Sequence, residues 1–157
     1  MKVTLLLADM GQNDQSGKLN ILGAGWSVTA VGPQGLTPDS ALAVFVEATW
    51  DRCNRQLHIA LDLVTDDDQP VQIPVGDDLV PLRIEHDLVA VPAPGAPNGS
   101  PGFVSFMINL RGGLPLSAGN WYKWRATVDK EHDPNWEARF YVQRQPTAPT
   151  IGASPQG

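Results

Sequence analysis

Residues 41–65 run ALAVFVEATW, then DRCN, then RQLHIALDLVT: two apolar-alternating runs joined by four polar residues. In the second run Leu57, Ile59, Leu61 and Leu63 share one face, and Gln56, His58, Ala60 and Asp62 share the other. Side chains alternate across a strand, so this period-2 pattern specifies strands with one dry face and one wet face. Asp51-Arg52-Cys53-Asn54 has the length of a hairpin loop, and the two arms are expected to pair as a central ribbon. Further strands then add to that ribbon.

The rest of the chain supports this. It has 157 residues, a length that suits one domain with a proper core. Gly (15) and Pro (14) are abundant and charged residues make up only 18%, which favours short strands and turns over helices. Strands are expected at 2–8, 18–22, 26–31, 71–75, 83–91 and 103–111, with a polar loop over 9–17. A closing hairpin spans 120–129 and 136–143. Its first arm turns Tyr122, Trp124, Ala126 and Val128 inward, and its second Trp136, Ala138, Phe140 and Val142. The expected architecture is all-β: an antiparallel β-sandwich or jelly roll of about eight to ten strands over residues 1–143. Residues 144–157 lack any apolar period and read as an extended Pro/Gly-rich tail.

Several function classes fall away. The net charge of -6 repels phosphate backbones, and the basic residues are scattered, so no nucleic-acid partner is expected. Cys53 is the only cysteine, which excludes an intrachain disulfide and reads as a tolerated loop thiol. The apolar run at 3–8 is interrupted by Asp9 too early for a signal peptide, and nothing is long enough to span a bilayer, so no membrane partner is expected. The glycine-rich stretch 11–18 misses the phosphate-loop spacing, and Leu19 stands where a magnesium-binding hydroxyl would be needed.

Candidate site residues are few. His58, His86 and His132 lie on separate elements; a sheet face shared by His58 and His86 would make a two-His metal site imaginable, but no His-x-His spacing and no paired cysteine supports one. No cofactor or metal is expected; the nearest approach to a ligand set is the pair of acidic turns, Asp66-Asp67-Asp68 and Asp77-Asp78. Aspartates suit turns because they satisfy turn geometry and stay wet, and that reading is the simpler one. No serine sits in a nucleophile elbow, and Glu47, Asp62 and Glu85 have no spacing that selects them as a glycosidase pair. Trp124 and Trp136 fall on core faces. Trp50 and Trp121 fall at strand ends or on the outer register and are the interface candidates, together with Gln145, Pro146, Pro149, Ile151 and Pro155 of the tail.

Ala8-Asp9, Gly17-Lys18-Leu19, the run from Leu57 to Leu63, and Leu114-Pro115-Leu116 continuing to Trp124 together resemble a β-sandwich domain family of bacterial and phage genomes. The resemblance covers most of the chain and omits the tail. It implies the sandwich fold and no catalytic motif. The expected function is that of a non-enzymatic structural or interaction protein, in concrete form a phage virion accessory that decorates a capsid or another head or tail surface. Its expected partner is a protein in a large assembly or a homo-oligomer, and its expected location the virion, assembled in host cytoplasm. The alternative is a cytoplasmic ligand-binding module for carbohydrate or calcium.

Overall fold

The computed structural model describes residues 1–145. It contains twelve strands: β1 (Lys2–Ala8), β2 (Met10–Asn13), β3 (Leu19–Leu22), β4 (Val28–Val31), β5 (Ser40–Ala48), β6 (Gln56–Thr65), β7 (Gln72–Val75), β8 (Asp78–Pro81), β9 (Arg83–Val89), β10 (Gly102–Leu110), β11 (Asn120–Val128) and β12 (Glu137–Arg144). Two sheets carry the core, a three-stranded one in the order β1-β5-β10 and a five-stranded one in the order β4-β12-β11-β6-β9. The β-sandwich is therefore as expected. The count exceeds eight to ten because β2 and β8 add unexpected second arms to β3 and β7, making two short hairpins outside the main sheets. Met10-Gly11-Gln12-Asn13, read as part of a polar loop, is one of their arms. All main-sheet pairings are antiparallel except β12 with β4, which is parallel.

The central ribbon is corrected. β5 pairs with β1 and β10, whereas β6 pairs with β11 and β9, so the two runs lie in opposite sheets. Their connection is an arch instead of a hairpin. A 3-10 turn at Trp50–Arg52 makes up its first part, and Asn54 N–H donates to Ala90 O (3.0 Å) at the far sheet. The physical reason is general: alternation tells which side chains face the core, and it is silent on which strand lies alongside. Stacked sheets lie ~10 Å apart, and the seven residues between Ala48 and Gln56 have room to cross that gap.

Burial follows the predicted faces closely. Leu42, Val44, Val46 and Ala48 of β5 meet Leu57, Ile59, Leu61 and Leu63 of β6 across the core, and none is more than 1% exposed. Burying the four aliphatics of β6 contributes roughly 6–10 kcal/mol before chain entropy is subtracted. The closing hairpin pairs as expected, Tyr122 opposite Phe140 and Trp124 opposite Ala138, with its eight inward residues all buried.

One end of the sandwich is closed by a polar clamp. Thr37 is the sole buried polar side chain among the described residues. Its Oγ1 accepts from Leu114 N–H (2.9 Å), while its own N–H donates to Leu114 O (3.0 Å). The substitution Thr37→Val keeps the shape and removes the acceptor, leaving the Leu114 N–H unpaired. It should lower stability by about 1–3 kcal/mol, seen as a lower urea midpoint at unchanged slope.

Candidate functional site: an apolar groove on the three-stranded sheet

The outer face of β5 carries Ala41, Ala43, Phe45 and Glu47 in turn. Its first half is covered. The β2–β3 hairpin folds over Ala41 and Ala43, which are 1% and 0% exposed. A side-chain amide fastens it: Asn109 Nδ2 donates to Gly11 O (2.9 Å), and Gly11 N–H donates to Asn109 Oδ1 (3.2 Å). A Cβ at residue 11 would stand 3.0 Å from Asn20 O and would also displace the tip of Met107, so glycine suits this close approach.

The second half is open. Phe45, with Phe103 of β10, Val89 of β9 and Val91 just beyond it, lines a groove of 560 Å³. All four are exposed, from Phe45 at 36% to Phe103 at 53%. Pairing places them together. Ser105 lies opposite Phe45 and Phe103 opposite Glu47, so the two phenyl rings are diagonal neighbours on one face. Phe103 also bridges to Val91, which joins the two sheets at this corner. The corner is tight, since a Cβ at Gly102 would lie 2.7 Å from Cys53 Sγ and 3.0 Å from the Ala90 backbone. Cys53 is accordingly half-buried beneath it.

The rim is polar. Lys2 and Glu47 are cross-strand partners at one end, and Thr4 and Ser105 add hydroxyls. Asn13, Ser16 and Gly17 from the tip of the β2–β3 hairpin form the other wall. That tip is held by Asp14, whose Oδ1 accepts from Ser16 Oγ (2.7 Å), Lys18 N–H (2.9 Å) and Ser16 N–H (2.8 Å). The Ser16 hydroxyl, followed by the Lys18 amide, holds the Asp14 carboxyl below its ordinary range. Contiguous apolar surface rimmed by polar groups is the usual form of a recognition surface.

The residues singled out from sequence lie elsewhere and apart. Trp50 opens the 3-10 turn of the arch and is 49% exposed. Trp121 lies on the outer face of β11, 40% exposed, with the Arg139 guanidinium 4.5 Å from its ring centre and Tyr141 beside it. The two tryptophans lie toward opposite ends of β6. Gln145 is exposed, and its N–H donates to Val31 O (3.3 Å) at the end of β4. Pro146, Pro149, Ile151 and Pro155 lie outside the described residues.

The acidic turn at Asp66–Asp68 already faces cations of the chain itself. Asp66 pairs with Arg139 (2.7 Å), and Asp68 with Lys123 (2.9 Å) and Arg125 (3.2 Å). The Lys123 ammonium beside it holds the Asp68 carboxyl below its ordinary range. Asp77 and Asp78 belong to the separate β7–β8 turn. Among the described residues no three His, Cys, Asp or Glu side chains converge as a metal-ligand group.

The register separates His58 from His86. His58 lies opposite Asp87, and His86 opposite Ile59, so the two imidazoles point to opposite faces of the sheet. His86 lies on the core-side face against Phe106, centroids 5.1 Å apart, yet stays exposed. His58 faces out, its Nδ1 2.9 Å from Asp87 and its Nε2 3.6 Å from Glu85. His132 is separate, its Nδ1 bonded to Ala126 O (2.8 Å). The groove residues Phe45, Phe103, Val89 and Val91 escaped sequence reasoning. Their signal was a large apolar residue on the wet face of an alternating run, which gains meaning only once the pairing register is known.

The hydrogen bond to Asp87, then the nearby Glu85 carboxylate, raises the His58 pKa above its ordinary 6.5. A group raised on folding stabilises fully below its unfolded pKa and loses that contribution as pH climbs through the folded value. The stability advantage of the wild type over His58→Gln should therefore be largest between about pH 4.5, below which the partner carboxylates protonate, and about pH 6.5, and shrink as the pH rises further. Chemical unfolding at several pH values measures it, and a constant difference would contradict the assignment. Comparison with known proteins leaves the site to be assigned from geometry: no protein-family model matches the chain, and no curated protein matches it significantly.

Proposed function

We propose that this protein is a non-enzymatic interaction module that docks onto a protein assembly through the Phe45–Phe103 groove. The observation that carries the reading is that four exposed apolar side chains, Phe45, Phe103, Val89 and Val91, gather at one corner and line a single groove. Exposing phenyl rings and valines to water costs solubility, and a protein surface that seats them offsets that cost. The concrete form we propose is a phage virion accessory attached to a head or tail surface. The resemblance of the sequence to a phage and bacterial sandwich family supports that form, as does the rigid, acidic scaffold behind the groove.

A second reading treats the groove as a small-molecule site. Its 560 Å³ falls within the ~300–1,000 Å³ usual for ligand pockets, and Thr4, Ser105, Lys2 and Glu47 supply the few polar groups such a pocket needs.

Phe103→Asp tests the first reading. Phe103 is exposed, so the variant should fold. In a density gradient of lysate from cells that make the protein, the wild type should travel with a large particle. The variant should stay at the top, with affinity reduced at least tenfold or so, as for an interface hot spot. Wild type remaining at the top would remove the assembly reading. A specific response to a glycan or small-molecule panel, centred on Phe45 and Phe103 in NMR spectra, would then favour the second.

A further inference from the structure

β10 is an unfinished edge. On one side it pairs with β5 along its whole length. On the other, only Phe103 is engaged: its N–H donates to Val91 O (2.9 Å) and its carbonyl accepts from Val91 N–H (3.4 Å). Backbone groups alternate in direction along a strand, so Ser105, Met107 and Asn109 aim their N–H and C=O groups the same way as Phe103, away from β5. Among the described residues nothing bonds to them there.

Three observations mark this edge apart from the others. Its inward side chains Val104, Phe106, Ile108 and Leu110 all remain only partly buried. At the opposite edge of the same sheet, Val3, Leu5 and Leu7 of β1 are at most 8% exposed. Secondly, β1 is capped where Gly25 N–H donates to Leu7 O (2.8 Å). Thirdly, β10 reads GFVSFMINL, nine residues with no charge and no proline. The outer edge of the other sheet, β9, carries Arg83, Glu85 and Asp87. Monomeric proteins blunt such edges with charge, proline or a bulge, and β10 has no charge or proline to do so.

We infer that a second copy of this chain completes the edge, β10 pairing antiparallel with its own twofold mate to join two three-stranded sheets into one. The free positions set the register. Phe103 is already taken by Val91, so Ser105, Met107 and Asn109 are the available groups, and a twofold axis at Met107 uses all three. Met107 then faces Met107 of the mate, and Ser105 faces its Asn109. The occupant follows from the sequence as well. An uncharged, β-branched and aromatic edge is best matched by a strand of the same kind, and β10 is the longest such strand with a free edge. The chain's own residues 146–157 fit less well, because prolines at 146, 149 and 155 lack the N–H that a ladder needs. The inference does not depend on the groove, which opens on the sheet face and not along its edge.

Sedimentation equilibrium of the full chain should show a monomer–dimer equilibrium with Kd in the micromolar range, about 1–100 μM. In hydrogen exchange of the unmodified protein, the amides of Ser105, Met107 and Asn109 should slow about tenfold between dilute and concentrated samples. Met107→Lys and Met107→Glu each place like charges opposite one another at the axis and should be monomeric, whereas their equimolar mixture should dimerise again. Near-UV circular dichroism confirms that each is folded. A wild type that stays monomeric at about 1 mM overturns the inference, as does a dimer without concentration-dependent protection at those amides. Dimerisation of either charge variant alone also overturns it. Protection that appears only on adding the particle fraction would assign the edge to a strand of the assembly and overturn the second copy as occupant.

Discussion

Everything in this molecule hangs on β5 and β6 facing each other across the core. Each is flanked on both sides within its own sheet, and each turns its large aliphatic face toward the other. Neither strand could stay in water with that face bare, so the arch that separates them into opposite sheets is what creates an interior at all. Once the arch is made, β1 and β10 have one place to add and β9 and β11 another. Arg52, in the arch, pairs with Glu131 at the β11–β12 turn, tying the crossing to the closing hairpin.

That constraint also explains the outer faces. The five-stranded sheet covers its wet side with its own charges: Lys123, Arg125 and Arg139 against Asp66 and Asp68, Arg83 against Asp62 and Glu85. Their long stems shield Ala60 and Val64, which are 2% and 1% exposed although they point outward. Exposed pairs of this kind contribute little energy each, yet together they cover most of that stretch and leave Trp121 as its exposed apolar residue. The three-stranded sheet has no such coat. It has a hairpin over one half and exposed Phe45 and Phe103 on the other, and this asymmetry is what leaves the groove open.

The legible and illegible parts of the sequence divide along physical lines. The closing hairpin was readable because Tyr122 to Val128 and Trp136 to Val142 alternate without interruption and a short polar turn joins them. The arch was not, because Leu57 to Leu63 show the same alternation whatever strand lies beside them. β2 was hidden because Met10 to Asn13 bury little and pair only with β3. Whether His58 and His86 share a face depends on the pairing register, which sets His58 beside Asp87 and His86 beside Ile59, and one residue along a strand turns a side chain over. Trp50 and Trp121 were rightly placed on the surface, yet the groove gathers phenylalanines and valines from three strands whose juxtaposition no local pattern announces.

The amide clamp between Asn109 and Gly11 has an evolutionary consequence. It anchors the β2–β3 hairpin at its base, while the segment from Asp14 to Lys18 that closes the hairpin contributes nothing to the core. The hairpin is thus an adjustable stop at one end of the groove. Lengthening or shortening its tip would change how long an object the groove can seat, at almost no expense to the sandwich, so descendants of this scaffold could be refitted to new clients by altering a few loop residues.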